Sequence, residues 1–213
     1  MSDARDEAPS RAALAETIRS IESYAGTLGR QASDVFNTRE LHLDTGIEER
    51  VIEQLLRGDA VEEDDLPTRI YRRFTFLRET YRRSDGQQFS LKEIAESFQA
   101  TGPALAPLTK AGKANPGPAT QLGVTAFFNA LAQPSRKVGE AFLTARCFSA
   151  LNDALQPLAH QLAREVLEVQ NVRISARQEA PGDELDRYFS VMSARQKRMM
   201  TRFAASILTE DED

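Results

Sequence analysis

The 213-residue chain has no tryptophan, one cysteine and two histidines. A lone cysteine, Cys147, excludes an internal disulfide framework. His42 and His160 stand far apart, and neither has a cysteine or paired acid at metal-ligand spacing. Each histidine reads as a partly buried or surface side chain. Cys147, beside Phe148, reads as a small core residue rather than a nucleophile or redox sensor. There is no phosphate-binding glycine loop, and the carboxylates fall on polar helix faces, so no enzyme site is found and no cofactor or metal is expected. No apolar run is long enough to cross a membrane or to serve as a signal h-region, and the expectation is a cytoplasmic protein. Glycine (11) and proline (9) are sparse, and strand-like alternation is nowhere sustained, which points to an all-α chain.

What is present is apolar residue at helical spacing and charge of unequal distribution. Apolar residues make up 41% of the chain, enough for real cores in one large or two small domains. The net charge of −5 conceals a partition. Residues 1–65 carry 7 Lys and Arg against 16 Asp and Glu, residues 66–146 carry 12 against 5, and residues 147–213 carry 8 against 11. Only the middle third has the sign of a nucleic-acid footprint. The plain alternative is that basic and acidic helices face one another within the fold.

Met1 to Pro9 is expected to lack structure, with Ser10 capping a helix from Arg11 to about Tyr24 on Leu14, Ile18 and Ile21, ended by Gly26 and Gly29. Leu41 and Leu43 mark a short helix. Thr45-Gly46 makes a turn, and Ile47, Val51, Ile52 and Leu55 give the inner face of a second helix that Gly58 terminates. The acids from Asp59 to Asp65 read as a solvated linker closed by Leu66-Pro67. Thr68 is then expected to cap a helix from Arg69 to Arg83 with Ile70, Phe74 and Leu77 inward. A break at Ser84-Asp85-Gly86 precedes Ser90 and Glu93, the two ends of a capping box. Thr101 is expected to cap a further short helix with Leu105 and Leu108 inside, in which Pro107 should push Ala106 away from helical angles. The segment from Ala114 to Pro118 then starts a helix that ends at Phe127-Phe128. Beyond Gln133-Pro134-Ser135, a stripe from Phe148 through Leu151, Leu155, Leu158, Leu162 and Val166 to Val169 is interrupted by Pro157, which either kinks or divides the helix. After Pro181-Gly182, Asp183 should cap a last helix.

The Phe76-Leu77-Arg78-Glu79-Thr80 helix, the Asp85-Gly86 turn before Phe89-Ser90, Glu93-Ile94-Ala95, Leu105 with Leu108, Asn115-Pro116 and Phe127-Phe128 together resemble the Cro and lambda-repressor (XRE-like) class of helix-turn-helix proteins. The resemblance is nearest to the actinobacterial branch that includes the mycobacterial regulators of type VII secretion. Thr45-Gly46-Ile47 followed by Leu55-Leu56-Arg57-Gly58 resembles a second copy of the unit. The resemblance implies tandem lambda-repressor-like helix-turn-helix units followed by a helical C-terminal dimerisation region, divided as 1–67 (acidic unit), 68–133 (basic unit) and 134–213. It implies a DNA-binding transcription regulator or chromosome-associated protein, nucleoid-associated in the cytoplasm. The alternative is an adaptor whose degenerate units bind another regulator or a polymerase component.

In such a fold the start of the second helix of each unit enters the major groove. Those positions resemble Glu48, Glu49, Arg50 and Glu53 in the acidic unit, and Gly102, Pro103, Ala106 and Pro107 in the basic one. Three carboxylates in the one and no side-chain donor in the other predict weak base readout. Binding to double-stranded DNA is therefore expected through phosphates, from Arg72, Arg73, Arg82, Arg83, Ser90, Lys92, Thr101, Lys110 and Lys113. Arg50, Gln54 and Arg57 are the candidates in the acidic unit. A homodimer is expected through Leu185, Phe189, Met192, Met199, Phe203 and Ile207.

Overall fold

The computed structural model describes residues 3–132, 138–178, 192–193 and 196–197. Among them are eight α-helices: α1 (Asp3–Thr27), α2 (Thr38–Thr45), α3 (Glu49–Leu56), α4 (Leu66–Thr80), α5 (Leu91–Glu96), α6 (Gly102–Leu105), α7 (Pro118–Leu131) and α8 (Cys147–Gln178). Two short 3-10 turns, at Ala32–Asp34 and Ala106–Thr109, complete the regular structure, and the described residues contain no strand. The chain divides into two compact bodies, a larger one of residues 1–15 and 37–154 and a smaller one of residues 16–36 and 155–213.

The helix expected to begin after Pro9 begins at Asp3. Its opening residues, Asp-Ala-Arg-Asp-Glu-Ala, combine helix formers with acids that favour the positive end of the dipole, and this outweighs the hydrogen bond that Pro9 removes. Pro157 does not divide the C-terminal stripe, since α8 runs through it as one helix. In the smaller body the buried Ile18, Ile21 and Ala25 of α1 and Leu155, Leu162, Val166 and Val169 of α8 provide the apolar interior. Gln156 donates to Thr17 at 3.0 Å, and Arg30 reaches Glu165 at 2.6 Å.

In the larger body, α2 is capped by Asn37, whose side chain accepts from the Glu40 amide, and it ends on Gly46 at φ 66°. Buried Thr45 stitches the turn by donating to the Leu41 carbonyl (2.6 Å) and accepting from the Ile47 amide (3.2 Å). Ile47, Ile52 and Leu55 are buried as the spacing predicts, while Leu43 and Val51 are half-buried. At Gly58 (φ 77°) paired bonds from the Gly58 amide to Leu55 and from the Asp59 amide to Gln54 close α3.

The acidic run before α4 is not simply a solvated linker. Val61 is buried, Glu63 lies 3.2 Å from Arg69, and Asp64 lies 3.0 Å from Arg72. Asp65 rather than Thr68 caps α4, accepting from the Thr68 amide at 2.9 Å, so Leu66 and Pro67 begin the helix instead of closing a linker. Ile70, Phe74 and Leu77 are fully buried in a core with Ile94, Leu105, Leu108, Val124 and Phe128. The helix stops at Thr80, earlier than expected. Tyr81 turns extended, and the chain folds back through Gly86 (φ 80°) so that Arg82 and Gln88 bridge.

The capping box of α5 is complete. Ser90 accepts from the Glu93 amide at 3.2 Å, and Glu93 accepts from the Ser90 amide at 2.8 Å. Hydrogen bonding from Ser90 holds the Glu93 carboxyl below its ordinary value, with Arg83 adding to the effect. A depressed folded-state value means the box is intact at neutral pH and is lost only as pH falls through that lowered value. Thr101 stands at the N-cap of α6 but its side chain makes no cap bond. Ser90→Ala should therefore cost about 1 kcal/mol of stability in denaturant titration, whereas Thr101→Ala should cost a few tenths at most; equal losses would show that the box is idle.

Ala106 also departs from expectation. It keeps helical angles (φ −55°, ψ −36°), and the missing Pro107 amide is absorbed by tightening the chain into the 3-10 turn that follows α6. Gly102 lets this turn approach α5, because a Cβ there would sit 3.3 Å from the Lys92 backbone. The closing helix α7 runs on for three residues past Phe128 to Leu131.

Candidate nucleic-acid interface

The structure sorts the expected phosphate ligands by what already holds them. Arg73 leaves the set. It is 3% exposed and donates to the carbonyls of Phe142 (2.6 Å) and Ala145 (3.2 Å), with its guanidinium 5.2 Å from the centre of the Phe142 ring. The physical reason is position: Arg73 lies three residues after Ile70 and four before Leu77, on the edge of the buried stripe. Burial pushes its guanidinium below the ordinary value, with Cys147 and Glu63 countering and Arg69 reinforcing the fall.

Arg72 remains exposed but is paired with Asp64 at 3.0 Å. Arg83 is exposed and shared between Glu93 (3.0 Å) and Asp85 (3.6 Å). Lys92 is exposed with Glu96 one turn away at 3.7 Å. Ser90 and Thr101 are exposed, but the Ser90 hydroxyl is engaged by the capping box. Arg82 donates only to the carbonyls of Glu79 (3.1 Å) and Gly86 (3.2 Å). Lys110 and Lys113 are exposed, and among the described residues neither has an ion pair. Among the described residues, the candidate cations of the basic unit without a carboxylate partner are thus Arg82, Lys110 and Lys113, on the segments that precede α5 and follow α6, and exposed Arg50 of the acidic unit likewise has no ion pair.

On α3 and its N-cap, Glu48, Glu49, Arg50 and Glu53 are all exposed, and Gln54 is half-buried. Arg57 is taken by Asp59 at 3.0 Å. Around α6, Pro103 and Pro107 are exposed, and Gly102 and Ala106 half-buried. Of the expected dimer residues, Leu185, Phe189, Met199, Phe203 and Ile207 lie outside the described residues, and Met192 is half-buried.

No known protein family, curated protein or solved structure matches the chain. No helix among the described residues is long and apolar enough to cross a membrane, and no group of three His, Cys, Asp or Glu among them is placed to hold a metal.

Sequence reasoning missed a cleft of about 270 Å³ between the α2–α3 turn, the acidic run and α4, lined by His42, Ile47, Val51, Arg73, Phe76 and Cys147 among others. His42 Nδ1 is 2.6 Å from the Ile47 carbonyl and its ring meets Phe76 edge-on at 5.0 Å. Burial raises the Cys147 thiol above its ordinary value, with Glu63 adding to the rise and Arg73 opposing it, so the thiolate a nucleophile needs is suppressed. It also missed the arginine clamp at the cleft wall. Arg69 donates to Asp64 and Thr144 carbonyls, both at 2.8 Å, one turn before Arg73 takes Phe142 and Ala145. The available signal was the phase of Arg69 and Arg73 against Ile70, Phe74 and Leu77.

Proposed function

We propose that the chain is a DNA-binding regulator or chromosome-associated protein that holds double-stranded DNA through phosphates, with tandem helix-turn-helix units formed by α2–α3 and α5–α6. The observation that carries this reading is the trio Arg82, Lys110 and Lys113, exposed around the α5–α6 pair with no carboxylate among the described residues to neutralise them. Exposed Pro103 and Pro107 at the groove-facing positions offer no base-edge donor, so recognition is of the duplex rather than of its sequence. The reading carries with it a homodimer through the C-terminal stripe and a cytoplasmic, nucleoid-associated location.

Uncompensated charge sets the expected salt dependence. The seven cations expected in the basic unit would give a log–log salt slope of about −6, whereas three uncompensated ones give about −3. A fluorescence titration of random duplex against salt should return the shallower value. Arg82→Glu with Lys110→Glu should abolish binding to random and genomic duplexes alike, while Arg83→Ala should change it little because Glu93 and Asp85 already occupy that guanidinium. Absence of any salt-dependent binding would move the balance to the adaptor reading. That second reading has its own support in the exposed apolar surface of Pro103, Ala104 and Pro107.

A further inference from the structure

The cleft beside the α2–α3 turn lies wholly within the larger body, and its lining residues sort by chemistry. Ile47, Val51, Val61 and Phe76 give it apolar surface. Its arginines are already engaged. Arg69 and Arg73 donate to four carbonyls, and Arg72 is paired with Asp64 at 3.0 Å. Arg69 Nε has no acceptor, yet it is sealed from solvent and offers no donor to a ligand.

The carboxylates are the reverse case. Glu48 at the N-cap of α3, Glu62 in the acidic run and Glu79 near the end of α4 all line the cleft and are exposed, and among the described residues none has an ion pair. They come from three separate elements, so it is the fold that brings them to one cleft. Against these three stands one lining guanidinium without a carboxylate partner, Arg73, which is buried against the carbonyls of Phe142 and Ala145. The cleft is therefore net acidic. His42 adds another acceptor. Its Nδ1 is 2.6 Å from the Ile47 carbonyl, which can only accept, so Nδ1 carries the hydrogen and Nε2 of the neutral ring keeps its lone pair.

We propose that this cleft binds a small organic cation, an ammonium group carried on an aromatic or aliphatic body. Walls of low dielectric concentrate the field of the uncompensated glutamates, which attracts a cation and repels an anion. The body of the ligand lies against Val51, Val61 and Phe76. Its ammonium donates to the glutamates and to His42 Nε2, and the rings of Phe76 and Tyr71 add cation–π attraction. At about 270 Å³ the cleft is just below the roughly 300 Å³ at which sites for drug-sized ligands begin, so the ligand is small. Because Gly46, Ile47 and Glu48 are part of the lining, the occupant touches the turn that leads into α3.

Amide proton–nitrogen spectra of the full chain, titrated with phenethylammonium chloride in the absence of DNA, test the site separately from the regulatory reading. The amides from Gly46 to Val51 and from Val61 to Asp64 should shift saturably. Phenethyl alcohol and phenylpropionate, which keep the aromatic body without the positive charge, should bind about tenfold more weakly or not at all. This comparison needs no variant. Glu48→Gln with Glu62→Gln and Glu79→Gln should weaken phenethylammonium about tenfold with an unchanged circular dichroism spectrum, since all three side chains are exposed and Glu48 makes no cap bond. Phe76→Leu, which keeps an apolar wall without the ring, should weaken it about threefold. No saturable shift, equal binding of the three probes, or undiminished binding to the triple variant overturns the proposal.

Discussion

Replacing Glu63 by alanine should lower the stability of the larger body by about 3–5 kcal/mol, the loss expected when one partner of a buried ion pair is removed and the other is left. The Glu63 side chain is only 11% exposed and sits between α4 and the start of α8. Its Oε1 accepts from the Cys147 amide at 2.7 Å, at the first turn of α8, where such amides have no partner within the helix. Its Oε2 lies 3.2 Å from Arg69 Nη2, a contact of charge rather than of aligned hydrogen bonding, since Oε2 has no hydrogen-bond donor while Nη1 and Nη2 of Arg69 donate to the Thr144 and Asp64 carbonyls. Arg69 and Arg73 are both buried, one turn apart, and of the two only Arg69 has a carboxylate as an ion-pair partner. Removing Glu63 leaves two largely buried like charges without the carboxylate beside them, held by the carbonyls of Asp64, Phe142, Thr144 and Ala145. Glu63→Gln should fall between, because its amide oxygen keeps the bond to Cys147 while the charge is lost. Urea titration followed by circular dichroism measures both. A loss under about 1 kcal/mol for Glu63→Ala would mean that water enters beside Arg69 and that the clamp is not dry.

Gly46→Val should be comparably damaging, by about 2–5 kcal/mol, and for two separable reasons. Position 46 has φ 66°, where a β-branched residue is strained, and a Cβ there would lie 2.9 Å from Phe142, 3.1 Å from Phe76 and 3.3 Å from Arg73. Gly58 isolates the first cause, since it has φ 77° but nothing within 4 Å of where a Cβ would stand. Gly58→Ala should therefore cost about 1 kcal/mol and Gly46→Ala distinctly more, with the difference measuring packing against the two phenylalanines. Equal losses at the two glycines would show that the turn shifts away from α4 at no cost, and that the cleft beside Phe76 is compliant.

The glycine at 46 is legible in the sequence: Thr45-Gly46 separates two helical stripes, and only glycine takes the left-handed angle cheaply. Why the position tolerates so little else is not legible there, because Phe142 lies nearly a hundred residues away. The same division runs through the interface. Twelve cations between residues 66 and 146 announce a basic region. Which of them face solvent uncompensated depends on Asp64, Glu93 and the carbonyls of Phe142 and Ala145, which reach their arginines only through the folded chain.

Features written within about four residues of one another follow from the chain alone. These are the helical character of the described residues, the Ser90 and Glu93 box, the glycine caps at Gly46 and Gly58, and the inward faces at Ile70, Phe74, Leu77, Leu105 and Leu108. Each comes from helical periodicity and from the hydrogen bonds that a helix end lacks, both of which are local. It took the folded chain to settle that Asp65 caps α4 in place of Thr68, that the acidic run is tied to the basic helix, and that Arg73 is an interior residue. A charged side chain at the margin of an apolar stripe can turn outward to water or inward to a partner, and the choice depends on whether a remote segment brings unsatisfied carbonyls within reach. Here the segment from Phe142 to Ala145 does so, and its carbonyls draw Arg69 and Arg73 into the core.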